Sequence, residues 1–303
     1  MRTRNVVCGI YLITLAGLVL GGTMTRASSN HRHSMSFSDR HHGIMNDCSD
    51  LHMRFDDQEA VVRSEERTIA RSEVSVLRID AHPNGGVQVS GWDKDTYSVT
   101  ACKAVEPGSG AEEIFSQIML SVEGGKVSTH GPANEDGWSV YLLVHAPRSG
   151  VIDVETVNGP VSVYDLGGKL TAHATNGPIS LKNFSGDADV TAVNGPISLE
   201  GSSGNVRIHT QNGPISVDLA GTNWSGAGLS ADAQNGPVTL RVPSGYKSSF
   251  VVESKGYSPV SCRASICGDA RKTWDDDHKR IEFGAAPAVI RMSTVNGPVA
   301  VED

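Results

Sequence analysis

Residues 157–219 read VNGPVSVYDLGGKLTAHATNGPISLKNFSGDADVTAVNGPISLEGSSGNVRIHTQNGPISVDL. Asn-Gly-Pro stands at Asn158, Asn176, Asn194 and Asn212, 18 residues apart each time, and returns at Asn235 and Asn296. Asn-Gly between apolar runs ordinarily announces a two-residue β-hairpin. In such a turn the residue after Gly donates the closing hydrogen bond. Here that residue is always Pro, which has no N–H to donate. The repeat therefore predicts a corner, where the chain changes direction without pairing with itself. On this reading Gly takes an unusual dihedral, Asn tolerates the left-handed region, and Pro opens the next strand where a missing donor matters least.

Both arms of the corner alternate with period two. Six residues before each Asn stand Ile152, Leu170, Ala188, Val206, Leu229 and Ile290; four before stand Val154, Ala172, Val190, Ile208, Ala231 and Met292. The residues between them are mostly polar. After the corner come Val161, Ile179, Ile197, Ile215, Val238 and Val299, then Ser162, Ser180, Ser198, Ser216 and Thr239, with Ala300 the exception. This is the pattern of strands with one buried face. A Gly turn follows at Gly168, Gly186, Gly204 and Gly245. One repeat cannot bury its apolar face alone, but stacked repeats bury a continuous one. The expected fold is all-β, a parallel β-solenoid with coils of about 18 residues. Like residues stack on like: apolar columns inside, a Ser column outside, and a hydrogen-bonded Asn column at one edge. Ala and Thr before each corner predict a flattened coil. The alternative, a sandwich or stack of hairpins, conflicts with Pro.

The pattern extends beyond the regular repeats. VLRIDAHPNGGVQVSGW reads as a degenerate earlier coil, with Leu77, Ile79 and Ala81 before Asn84, then Val87 and Val89. WSVYLLVHAP alternates through Val140, Leu142 and Val144, and GSGAEEIFSQIML fits a short helix or a strand with an insertion. Between Asn235 and Asn296 the pitch fails, predicting irregular coils with a cysteine-stapled loop. The solenoid domain is assigned to residues 60–303.

Residues 1–27 read as an export signal: a basic MRTR, an apolar VVCGIYLITLAGLVLGG and small residues before a cleavage point after Ala27. An uncleaved anchor is the alternative, because the apolar run approaches the length of a short span. No second span follows. Residues 28–59 are polar and His-rich and are expected to be disordered or loosely attached. Removing Cys8 with the signal leaves Cys48, Cys102, Cys262 and Cys267. An even number in an oxidising compartment predicts two disulfides, with three connectivities open. A local Cys262–Cys267 bridge is the simplest, which leaves Cys48 with Cys102. The 303 residues carry a net charge of −8 with no basic run, which argues against nucleic-acid binding.

The stretch RIDAHPNGGVQVSGWDKDTYSVTACKA, the Asn-Gly-Pro-Ile-Ser repeats and TVNGPVAV resemble a family of exported bacterial proteins. That family is a domain of unknown function named for adhesins, akin to the GIN-like head domain of auto-transporter adhesins. The resemblance covers residues 60–303. It implies a right-handed parallel β-helix in the periplasm or at the cell surface, and it supplies no catalytic residue.

Candidate chemistry is sparse. His31, His33, His41, His42 and His52 cluster near the N-terminus, but irregularly for a Zn²⁺ or Cu²⁺ site. Asp275, Asp276 and Asp277 lack the spaced oxygens of a Ca²⁺ loop. His173 and His209 occupy the same outward position two coils apart, about 10 Å at sheet spacing. Asp153, Asp189, Asp232 and Glu155 share an outward face, as a β-helix polysaccharide lyase would need, but Thr171 and Arg207 interrupt the Asp column. No catalytic, metal or cofactor site is assigned. The two function classes are a non-catalytic envelope module, which binds an envelope protein or glycan or is structural, and a β-helix carbohydrate-active enzyme.

Overall fold

The computed structural model describes residues 35–38 and 43–303, apart from 82, 135, 136, 257, 276, 277, 286 and 288. Two long sheets face each other across one apolar core. The strands that precede each Asn-Gly-Pro lie in a 12-stranded sheet, and those that follow lie in an 11-stranded sheet. Through the regular repeats the pairing is parallel and in register. Leu170 lies beside Ala188, Ala188 beside Val206, and Val206 beside Leu229. In the other wall Ile179, Ile197 and Ile215 are successive partners. The protein is thus all-β with long parallel sheets, consistent with a solenoid.

The degenerate coil takes its place in the same register. Ile79 pairs with Val154 and Val87 with Val161. Beyond Arg241 the chain leaves the stack order. Ile290–Asn296 pairs directly with Ser225–Asn235, so the last repeat is the next rung after the 235 corner. The intervening Phe250–Ser254 pairs on the far side of Ile290–Asn296, and Val260–Cys262 on the far side of Val299–Glu302. The chain skips a rung, builds the end, and returns to fill the gap. GSGAEEIFSQIML holds both a helix, Ala111–Gln117, and the start of a strand, Met119–Glu123.

Both ends change to antiparallel pairing. Val61–Ala70 and Thr96–Val105 extend the 11-stranded sheet beyond Trp138–Pro147. At the other end Lys279–Phe283 and Arg271–Trp274 extend the 12-stranded sheet beyond Phe250–Ser254. Antiparallel edge strands stand where no further repeat arrives to cover the last parallel strand.

The corner corrects the dihedral argument. Among the described residues no corner Asn has a positive φ, and among the corner glycines positive φ is confined to Gly236, at 156°. Gly is required for a different reason. A Cβ on Gly177 would lie 2.2 Å from the carbonyl oxygen of Gly159, and one on Gly195 would lie 2.2 Å from that of Gly177. Backbone stacks on backbone at the corner, with no room for a side chain. Gly168, Gly186 and Gly204 form a second such column, whereas Gly245 (φ 75°) sits in open space. Left-handed backbone occurs instead at Asp165 and Asn183, one coil apart (φ 54° and 50°). Pro contributes its carbonyl: Ile179 N–H donates to Pro196 O and Ile197 N–H to Pro214 O, each 2.9 Å.

The segment expected to be loose is corrected over its described part. Cys48–Asp50 forms a short 3-10 turn, and His52–Phe55 and Gln58–Glu59 are strands. Cys48, Leu51, Met53 and Phe55 pack in a second apolar cluster with Cys102, Ala104, Tyr141 and Leu143. No boundary falls at residue 60, because the described residues on either side belong to one compact unit. Polar composition hid the alternation of Leu51, Met53 and Phe55, which supplies an apolar face for the sheet below. Residues 1–27 lie outside the described residues, among which no helix is long and apolar enough to cross a membrane.

Candidate functional site

The Asn residues form one continuous chain of side-chain hydrogen bonds. Asn176 Nδ2 donates to Asn158 Oδ1, Asn194 to Asn176 and Asn212 to Asn194, each at 2.9 Å. Asn235 donates to Asn212 at 3.0 Å and Asn296 to Asn235 at 2.9 Å. Asn84, absent from the repeat count because Gly replaces its Pro, accepts from Asn158 at 3.2 Å. Below this ladder, Thr156, Thr210 and Thr294 donate to the carbonyls of Gly85, Gly195 and Gly236. Inward Thr before a corner therefore satisfies a corner carbonyl.

The outward columns are short-range networks. Ser198 Oγ donates to Ser180 Oγ at 3.0 Å, and Arg241 donates to Ser216 and Asp218. The acidic residues do not converge. Asp153 and Asp189 fall in one column with Thr171 between them and Arg207 beyond. Glu155 and Asp232 fall in the neighbouring column, separated by His173, Thr191 and His209. Asp232 accepts from Ser230 and Ser293. His173 and His209 lie on opposite sides of Thr191. His52 pairs with Glu59 at 3.0 Å. His31, His33, His41, His42, Asp276 and Asp277 lie outside the described residues. Among the described residues no three His, Cys, Asp or Glu side chains gather as a metal site would require.

Cys48 is bonded to Cys102 and Cys262 to Cys267, with Cα separations of 5.3 and 5.7 Å. The first bridge shapes an open concavity on the outer face of the 11-stranded sheet. On Thr96–Val105 and Trp138–Pro147, Val99, Ala101, Val140, Leu142 and Val144 point into the main core. Period two then sends Ser98, Thr100 and Cys102 outward, beside Tyr141, Leu143 and His145. Thr100 lies between Glu66 and Leu143, and Ser98 lies beside His145. Cys102 tethers residues 46–49 over one end of this face. Gln88 grips the same strap: its Oε1 accepts from Met45 N–H at 2.9 Å, and its Nε2 donates to Met45 O at 2.8 Å.

The resulting open cleft has a volume of about 600 Å³. Its floor carries Ser64, Glu66, Ser98 and Thr100; Asn46, Asp47 and Ser49 form one wall, and Trp92 and His145 close the far end. Ser98 Oγ donates to Glu66 Oε1 at 2.6 Å. The Trp92 and His145 rings stack with centroids 5.1 Å apart, and Lys94 Nζ lies 4.5 Å from the Trp92 centroid. Burial pushes the His145 imidazole below its ordinary pKa; Glu66 opposes that shift and Lys94 reinforces it. Ser98 gives its proton to a carboxylate, so the imidazole beside it is not its base.

Sequence reasoning missed this cleft. One signal was present: in WSVYLLVHAP, Tyr141 and Leu143 are apolar at the outward positions too, which marks a strand covered on both faces.

No family model matches the chain, and no curated protein matches it in sequence. Solved structures do resemble it. A "putative adhesin" from Bacteroides fragilis is 12% identical with a TM-score of 0.44, covering 80% of this chain and 96% of its own. A "putative cell adhesion protein" from Clostridium sporogenes is 10% identical with a TM-score of 0.33, covering 80% and 99%. A "putative lipid binding protein" from Parabacteroides distasonis is 10% identical with a TM-score of 0.28, covering 78% and 96%. At these scores the likenesses carry no argument about function.

Proposed function

We propose that this chain is an exported, non-catalytic module of the cell envelope, adhesin-like, in the periplasm or at the cell surface. Its body is a flattened, right-handed parallel β-solenoid with coils of about 18 residues, the spacing of the regular Asn-Gly-Pro corners. The Asn column holds the corners, and the outward faces meet an envelope protein or a glycan. The observation that carries this reading is how the repeated polar side chains are spent. Asn bonds Asn and Ser198 bonds Ser180 along the stack. Groups engaged with their own copies serve the stack before they serve a substrate. The signal-like N-terminus and the two disulfides favour an oxidising compartment.

The enzyme reading would need carboxylates converging on one bond. Asp153, Asp189, Glu155 and Asp232 are instead interleaved with Thr, His and Arg in two columns. The test is fractionation of the native protein, followed by capture of envelope proteins and glycans by wild type and by Asn194→Ala. The variant should melt at lower urea, by about 1 kcal/mol for its lost hydrogen bonds, and keep its ligand. A variant that melts like wild type and loses its ligand would make the Asn column a recognition surface. Turnover of a captured glycan would replace the module by the enzyme.

A further inference from the structure

We propose that the cleft beside the residue 46–49 strap is a binding site for a neutral saccharide, held by hydroxyl contacts to Ser98, Thr100 and Glu66 against the Trp92–His145 end. This rests on the reading of the chain as a binding module, and it moves the ligand from the repetitive columns to the irregular end.

Three features of the cleft select the ligand class. The first is size. About 600 Å³ falls within the range of small-molecule sites. The second is the hydrogen-bonding character of the floor. Ser98 is 5% exposed and commits its proton to Glu66. Its oxygen therefore faces a ligand as an acceptor, beside a carboxylate with lone pairs to spare. Ser64 and Thr100 donate and accept. Such a floor wants a ligand with several hydroxyl groups, each also able to do both. The third is the balance of charge and polarity. Asp47 already accepts from Ser49 N–H and Oγ, and Lys94 stands near the far end as counterpart to Glu66. The carboxylates of the lining are Asp47 and Glu66, so an anionic ligand meets like charge. Leu143, Val62 and the Trp92 ring alternate with the hydroxyl groups. That mixture matches a sugar, which has apolar C–H faces and a hydroxyl rim.

The columns lack these features. Their Ser and Asn side chains form a flat array bonded within itself, whereas the cleft has walls on more than one side. The strap is fixed by Cys48–Cys102 and by Gln88, so one wall is in place before a ligand arrives.

The experiment uses the exported protein with its disulfides intact. Lactose, maltose, cellobiose and chitobiose are titrated at millimolar concentration by saturation-transfer NMR and calorimetry, with galacturonate as the anionic control. At least one neutral disaccharide should bind, and galacturonate should not. Glu66→Gln and Ser98→Ala should each weaken binding at least tenfold, while Ser216→Ala on the outward column leaves it unchanged. Glu66 is exposed, so Glu66→Gln should melt like wild type and report binding alone. The proposal is overturned if no neutral disaccharide binds, or if both cleft variants bind as wild type. Loss in Ser216→Ala alone would move the ligand to the column and leave the module reading intact. Binding in the cleft with cleavage of the disaccharide would keep the site and overturn the non-catalytic reading.

Discussion

The regular stack, residues 151–241 with 290–302, and the N-terminal end, residues 43–147, share one core but are stabilised differently. In the stack each rung repeats its neighbours: Ile179, Ile197 and Ile215 inside, Ser180, Ser198 and Ser216 outside, Asn176, Asn194 and Asn212 at the corner. At the N-terminal end pairing turns antiparallel, a second apolar cluster forms outside the sheet, and a disulfide and a half-buried ion pair appear. Repetition supplies stability through identical nearest-neighbour contacts, and the concavity it forms beside Asp165, Gly167, Asn183 and Ser185 is shallower, about 280 Å³. An irregular end needs individual fastenings, and those fastenings are what shape a cleft.

The largest expected contrast lies within the stack. Ile197→Asp places an unpaired charge in the core and should cost several kcal/mol, whereas Ser198→Asp, one residue on, should stay within about 0.5 kcal/mol. Urea melts of the two decide this, and equal losses would break the inside–outside assignment.

Next in size is the fastening of the other region. Cys48→Ser with Cys102→Ser opens a loop spanning 54 residues and should cost about 2–4 kcal/mol. The Cys262–Cys267 bridge spans 5 residues, so its removal should cost less. Hydrogen exchange should show the loss spread over residues 43–105, with 161–240 still protected. Uniform loss along the chain would erase the distinction between the regions.

Gly195→Ala should cost about 1–3 kcal/mol, because the new methyl meets the Gly177 carbonyl. Gly108→Ala, with open space around it, is the control. Similar melts for both would mean that the corners do not stack closely.

The smallest effect concerns Lys103, whose Nζ lies 2.7 Å from Glu65 and donates to Ile118 O at 2.6 Å. Burial alone would raise the Glu65 pKa, but the hydrogen bond and charge of Lys103, helped by Arg67, hold it below the ordinary value. A depressed carboxylate pKa stabilises the fold above the unfolded-state pKa, and that contribution is lost as pH falls through the folded one. Lys103→Ala should cost about 1–2 kcal/mol at neutral pH and flatten the acid limb of the stability profile. An unchanged acid limb would show that Glu65 draws nothing from Lys103.

The same contrast explains what could be read from the sequence. Alternation at Ile152, Val154, Val161 and Val163 is local, and repetition makes it legible even in the degenerate coil at Leu77 and Val87. The role of the corner Gly was misread because a clash with the next coil's backbone leaves no mark on the local sequence. The Cys48–Cys102 pairing was within reach of the sequence, but the cleft was not, because it depends on Glu66, Ser98 and His145 meeting across three strands with no shared motif. Asn84 was legible as the corner of the degenerate coil but not as a member of the Asn column, because its corner reads Asn-Gly-Gly.

The central claim is that identical positions stack in register from coil to coil. Ser180 and Ser198 are adjacent partners, and Ser198 and Ser216 are the next pair. Neighbouring strands lie about 4.8 Å apart, within reach of a disulfide, whereas two steps of about that length are not. The direct measurement is oxidative cross-linking of the double variants Ser180→Cys/Ser198→Cys and Ser180→Cys/Ser216→Cys, read by peptide mapping. The account predicts a 180–198 bridge formed rapidly and in high yield, and no 180–216 bridge within one chain. A 180–216 bridge, or no bridge in the folded 180/198 variant, would contradict it.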